Sequence, residues 1–334
     1  MTRDPWHLAS DLPSVFQALT SLQVPIPRPM PTMLRTVRTA IDSALHGTAR
    51  IPDSAVTLPA LSDGLPEWSD IRFGLYRLYQ LLEEAAVGVE AFVGRTAGDQ
   101  VHVGRILAQA TAARWDLHGL LVPLETDDLD RPPGGGEWTL RETLAHIAVV
   151  QAIHTVNTAY WAYQPTKASA RRATWIEESY ITNDSIWPPS KEWLDGTLRE
   201  LRQRLDTLLD LGIGMLRKCN DRDDLDKLAL IWGSQEVSVR YCLHRFATHW
   251  HEHTIQVEKT LAMLRREPSE VERIARISFE AYGRLEGSLL CLPIDVLEQS
   301  TSEGTPLSDY LDDIVQTVTS IAAGVSAASL GPED

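Results

Sequence analysis

Three histidines carry the chemistry that this sequence offers: His146 in TLRETLAHIAVV, and His249 and His253 in RFATHWHEHTIQVEKTL. An α-helix turns about 100° per residue, so residues four apart stand one above the other on one face. Two imidazoles placed in that way can share one cation, and a third imidazole from another helix completes a three-histidine metal site. Neutral imidazoles leave a divalent cation with open coordination positions. Nitrogen donors favour Zn²⁺, and Ni²⁺ or Fe²⁺ are compatible with the same set. Water on such a cation supports hydrolysis only beside a positioned base, and the sequence encodes no carboxylate at that spacing.

The residues around the three histidines sort by helical angle. With His249 at 0°, His253 falls near 40° and Gln256 near about −20°, while Val239, Leu243, Phe246, Trp250, Val257 and Leu261 gather at roughly 60° to 120°. The pair therefore borders the apolar stripe, and His251 falls on the opposite, solvated face. Cys242 and Thr260 share the ligand side, where a buried structural thiol is the ordinary role for Cys242. His146 follows Thr139, which can cap a helix, and Glu142, which can answer it from three residues on. Val150, Ile153 and Asn157 continue along the His146 face, and His154 is displaced from it by about 80°. Gln256, Asn157 and His154 are the candidates for supporting the ligands. Weighed against this is the plain alternative that all of these histidines are hydrogen-bonded core residues.

Other motifs are excluded. The run HEH at 251–253 is not the HExxH of zinc proteases, and no GxSxG, P-loop or GxGxxG occurs. The triplet Gly134, Gly135, Gly136 precedes Trp138 in a loop with no strand before it. The formal charge of −15, from 31 basic and 46 acidic residues, repels phosphate backbones and anionic membranes, so nucleic acid and membrane partners are set aside. The three cysteines, Cys219, Cys242 and Cys291, are far apart, which suits a reducing compartment. Neither a secretory h-region nor a long apolar span is read, and the expectation is a soluble, cytoplasmic protein.

Stepwise apolar residues at three and four predict an all-α protein of 334 residues. Helices are expected over about 32–46, 69–93, 101–124, 140–162, 191–215, 235–264, 269–290 and 307–327, separated by Pro/Gly clusters. Residues 1–31 read as an extended arm, 32–97 as a helical pair, 98–266 as a complete four-helix bundle with a crossover from about 163 to 191, and 267–334 as a second pair. IRFGLYRLYQLLEEAAVGVEA from Ile71 aligns without a gap on VRYCLHRFATHWHEHTIQVEK from Val239, pairing Arg72 with Arg240, Arg77 with Arg245 and Glu84 with Glu252. LEGSLLCL from Leu285 is similar to LHGLLVPL from Leu117, and TPLSDYLDDIVQ from Thr305 to EWTLRETLAHIAVV. These matches predict a second, degenerate bundle assembled from the two flanks. There Leu81, Ala85 and Asp313 stand where His249, His253 and His146 stand in the first, so the copy holds no such site.

The pattern WTLRETLAHI, a crossover, then HxxxHxxQ inside a long amphipathic helix resembles the DinB/YfiT-like superfamily of metal-binding four-helix bundles, which includes mycothiol-dependent maleylpyruvate isomerases and bacillithiol transferases. The resemblance covers about residues 100–266 and rests on Trp138, His146, His249, His253 and Gln256. It implies an up-down-down-up bundle and a metal triad of His146, His249 and His253, with solvent or a thiol completing the coordination. No fused sterol-carrier-like domain, present in some of those isomerases, is evident. Because a metal-bound thiol is a thiolate at neutral pH, the implied activity is a thiol-dependent transferase or isomerase acting on a low-molecular-weight thiol and an electrophile. The alternative is a non-catalytic metal-binding or stress-type ligand-binding bundle. Either is compatible with a homodimer, for which no particular stripe argues.

Overall fold

A computed structural model describes residues 13–27, 30–60, 62–96, 101–163, 191–219, 224–231, 235–299 and 305–330. The helices are α1 (Pro13–Ser21), α2 (Thr32–Thr48), α3 (Ile71–Thr96), α4 (Val101–Leu121), α5 (Leu140–Tyr163), α6 (Lys191–Leu194), α7 (Leu198–Leu216), α8 (Val239–Met263), α9 (Glu270–Leu290), α10 (Ile294–Gln299) and α11 (Pro306–Ser329). A hairpin of β1 (Leu228–Ile231) and β2 (Gln235–Ser238) precedes α8. The helical expectation holds, and its boundaries move by a few residues at most elements. Among the described residues no helix is long and apolar enough to cross a membrane.

Three local readings need correction. The expected arm over 1–31 is helical where it is described around residue 17: α1 buries Val15, Ala18 and Leu19 at helical spacing, and the prolines that suggested extension come after it. Gln235 to Ser238 is not the first turn of a helix but a strand, paired antiparallel with Ile231 to Leu228. The helix starts only at Val239, where the Ser238 side chain accepts from the Tyr241 N–H and caps it. The helix expected over 191–215 breaks at Thr197, which forms a capping box with Glu200 and restarts the chain as α7. The crossover expected over about 163–191 lies, apart from its ends, outside the described residues.

The chain divides into two compact units, Met1–Met30 with Glu125–Arg265, and Pro31–Leu124 with Arg266–Asp334. In the first, α5 is central and packs on α1, α6, α7, α8 and β1. Its sequence is nearly apolar all round, as a helix enclosed by neighbours requires, and every residue from Gln151 to Ala162 is buried. Gln151, Thr155 and Asn157 in that run are hydrogen-bonded. Gln151 donates to Thr155 Oγ1 (3.1 Å) and accepts from Trp250 Nε1 (2.9 Å), and Thr155 reaches the Leu208 carbonyl of α7 (3.4 Å). One glutamine thus ties α5 to α8, and its neighbour ties α5 to α7. An unpaired amide buried there would cost about 1–3 kcal/mol, so the bonds specify how these helices meet.

In the second unit, α9 packs on α2, α3 and α4, and α11 packs on α2 and α3. The sequence reading placed α4 in a bundle with α5, α7 and α8, but its packing groups it with α9. The reason is a pair of small-residue faces. A Cβ at Gly104 would stand 2.8 Å from the Cα of Cys291, and one at Gly287 would stand 2.9 Å from the Cβ of Ala108, so only glycines admit this approach. At the centre of the unit, Glu286 is 1% exposed and accepts from Arg38 Nη2 (2.7 Å), Arg38 Nε (3.1 Å), Trp115 Nε1 (3.2 Å), Tyr282 Oη (2.9 Å) and Arg114 Nη2. Burial raises the affinity of that carboxyl for a proton, but Arg114 and Arg38 outweigh it and hold Glu286 below the ordinary carboxylate range.

Candidate metal centre

The predicted face of α8 and the first turns of α5 meet in the first unit. Thr139 caps α5 as expected: its hydroxyl accepts from the Glu142 N–H (3.2 Å), and Glu142 Oε2 accepts from the Thr139 N–H (2.8 Å). That cap fixes where α5 begins, and His146 follows two turns later. Ring centroids lie 4.4 Å apart for His249 and His253, 4.6 Å for His146 and His253, and 5.5 Å for His146 and His249. One ligand nitrogen from each ring falls within 4.8 Å of the others, so the three could hold a single metal ion. Among the described residues, no other group of three or more His, Cys, Asp or Glu converges in this way.

The electrostatics suit a cation that needs neutral donors. Burial, and then the neighbouring His253, lowers His146 to about 4. Burial first, then His253, His154 and His146, lowers His249 well below the ordinary imidazole value. His253 is lowered by burial against an opposing contribution from Gln256. At neutral pH each ring is therefore an uncharged base. Gln256 Oε1 lies 2.8 Å from His253 Nδ1. As a carbonyl oxygen it accepts a hydrogen bond, which places the proton on Nδ1 and leaves the Nε2 lone pair for a metal. His249 Nδ1 is buried and makes no hydrogen bond. A cation held through this nitrogen would satisfy it. The donor set and this orphaned atom fit a divalent metal.

The other candidates separate. His154 stands beside the cluster, 5.8 Å between centroids from His249, buried against Phe246 and lowered to about 4 by burial and then by Arg245. Asn157 is eleven residues beyond His146, about 16 Å along a helix, and bonds Trp161 and the Leu230 carbonyl of the hairpin. It braces α5 against β1 and does not join the ligands. His251 is exposed, as its helical angle predicted. Cys242 is buried and its thiol is pushed up to about 12 by burial, which makes it a structural residue and not a nucleophile.

Sequence reasoning missed three supports. Gln151 and Trp250 hold the two ligand helices together; a glutamine in an otherwise apolar run, five residues past His146, was the available signal. Lys259 pairs with Glu137 (2.5 Å), and Thr260 Oγ1 donates to the Trp138 carbonyl (3.4 Å), so α8 also grips the loop ahead of α5. That grip holds the Trp138 ring 5.0 Å from the His146 ring.

Comparison with curated proteins and with solved structures found no match. The family model of the DinB superfamily matches residues 109–257, a stretch that begins inside α4 and contains α5, α7 and all three histidines. That stretch of the chain is a DinB superfamily domain.

Proposed function

We propose that the domain binds a divalent cation through His146, His249 and His253 and uses it to activate a low-molecular-weight thiol toward an electrophile, as a transferase or isomerase. The observation that supports this is the convergence of three uncharged imidazoles from two helices, one of them with a desolvated and unpartnered nitrogen. A bound cation would supply Lewis acidity, lowering the pKa of a thiol so that it is present as thiolate at neutral pH. Zn²⁺ suits the all-nitrogen set best, and Ni²⁺ or Fe²⁺ also suit it. The chain's own part is to hold the rings neutral by burial, to fix the His253 tautomer through Gln256 and to keep α5 and α8 in register through Gln151 and Trp250.

A second reading, a metal-binding bundle without catalysis, is favoured by one observation. Glu252, the carboxylate next to His253, is tied by Arg245 through two hydrogen bonds (2.7 and 3.0 Å), which hold it below the ordinary carboxylate range and make it a weak base. The two readings part in one experiment. Protein loaded with Zn²⁺ is assayed with several thiols against a bimane or chlorodinitrobenzene, alongside His249→Ala. Conjugation above the variant's rate supports the enzyme; stoichiometric metal with equal rates supports the silent bundle.

We further propose that α2, α3 and α11 of the second unit are copies of α7, α8 and α5 of the first without its metal site. α11 packs on α2 and α3 as α5 packs on α7 and α8. Arg77 and Glu84 of α3 form the same pairing seven residues apart (2.9 Å) as Arg245 and Glu252 of α8 (2.7 Å). In the copy Leu81 and Ala85 are buried in place of His249 and His253, and Asp313, in place of His146, is exposed.

A further inference from the structure

We infer that Trp138 is the aromatic wall of the ligand site, selecting thiols or electrophiles whose reacting group carries a flat apolar substituent. This rests on the metal reading above. Trp138 is half-buried, and its ring centroid lies 5.0 Å from that of His146 at an interplanar angle of 53°. Its position is set by the backbone. The carbonyl of Trp138 accepts from Thr260 Oγ1, Glu137 just before it pairs with Lys259, and Thr139 just after it is locked in the α5 capping box. Ahead of it, Gly134, Gly135 and Gly136 all have positive φ (+91°, +66° and +77°), a run that L side chains rarely adopt. The triplet turns the chain ahead of residue 138, whose ring stands beside that of His146. Nothing lies within 4 Å of a Cβ built at Gly134 or Gly136, so these glycines serve the turn and not close packing.

The rest of the His146 surroundings is consistent with an apolar ligand. Val149 and Val150 follow His146 on α5, and both are half-buried. A buried core tryptophan would be covered, and a surface one would not be anchored on both sides. A half-covered ring, fixed beside a ligand histidine, is placed to stack on a ligand held at that histidine. Offset or edge-to-face pairing of aromatic rings changes affinity by about three- to tenfold.

The test uses the full-length protein loaded with Co²⁺, whose visible absorption reports a thiol entering the coordination sphere. Thiophenol and 2-mercaptoethanol are titrated into wild type, Trp138→Phe, Trp138→Leu and Trp138→Ala. The expected result is a loss of thiophenol affinity of about five- to tenfold in Trp138→Ala and Trp138→Leu, retention in Trp138→Phe, and unchanged 2-mercaptoethanol affinity and cobalt stoichiometry throughout. An equal loss for both thiols, no loss for either, or a fall in cobalt stoichiometry overturns the assignment. Failure of the wild type to take up cobalt overturns the underlying metal reading instead, and the wall with it. Trp138→Phe keeps the test decisive where removal of the ring disturbs the loop.

Discussion

In the first unit three imidazoles converge without a charge among them, and in the second one carboxylate gathers a phenol, an indole and two guanidiniums. Glu286 and His249 are buried and His146 and His253 half-buried, yet the two clusters differ in how charge is balanced. The donors around Glu286 come from α2, α4 and α9, so the protein itself supplies the countercharge. The nitrogens around His249 have no such countercharge, and one of them has no hydrogen bond at all. A cluster that supplies its own countercharge stabilises a fold; a cluster of uncharged donors is fitted for a cation from outside.

The comparison can be broken most forcefully at the hub. Glu286→Gln leaves two guanidiniums without their carboxylate, and loss of one partner of a buried ion pair costs about 3–5 kcal/mol. Urea unfolding should show that loss while metal content stays unchanged; a variant of wild-type stability would mean that the hub is dispensable. The equivalent insult to the first unit should act on the ligand instead. Gln256→Leu removes the acceptor that fixes the His253 tautomer, and its expected effect is a 10- to 100-fold weaker metal affinity, about 1.4–2.7 kcal/mol, with little change in metal-free stability.

Acid separates the two clusters further. In the metal-free protein His146 and His154 titrate at about 4, against an ordinary 6.5, so between those values the unfolded chain binds more protons than the folded one. Their stabilisation is complete above pH 6.5 and is lost as the pH falls toward 4, with a slope of up to about 1.4 kcal/mol per pH unit for each histidine. Glu286 is held below its ordinary 4.5 and contributes nothing to the change until the pH drops under that value. Unfolding curves at pH 7, 6 and 5 should therefore show a decline that added Zn²⁺ reduces. A flat response would contradict the burial assigned to these rings. The smallest expected effect is at the start of α7, where Thr197→Ala removes a capping box and should cost about 1 kcal/mol in the same measurement.

What could be read from the sequence and what could not follow from the range of the interactions involved. His249, His253 and Gln256 sit on one helix, so their angles alone placed them on a common face. His146 was readable because its helix carries a cap signal, Thr139 with Glu142, that fixes its start. The Glu286 hub was not readable: its partners Arg38 and Arg114 are 248 and 172 residues away, and no spacing rule links them. The β1–β2 hairpin was missed because Gln235 to Ser238 runs straight into an amphipathic helix, and only the Ser238 cap marks the change. Asn157 shares the His146 face, but a shared face says nothing of distance along the axis.

The central claim is that three histidine nitrogens on α5 and α8 hold one cation. Metal content of the purified protein, with X-ray absorption at the metal edge, measures it most directly. The account predicts one equivalent of a divalent metal with an imidazole-rich shell, retained in His251→Ala and lost in His146→Ala, His249→Ala and His253→Ala alike. A metal-free wild-type protein after zinc supplementation, or an equivalent retained when His249 is replaced, would contradict it.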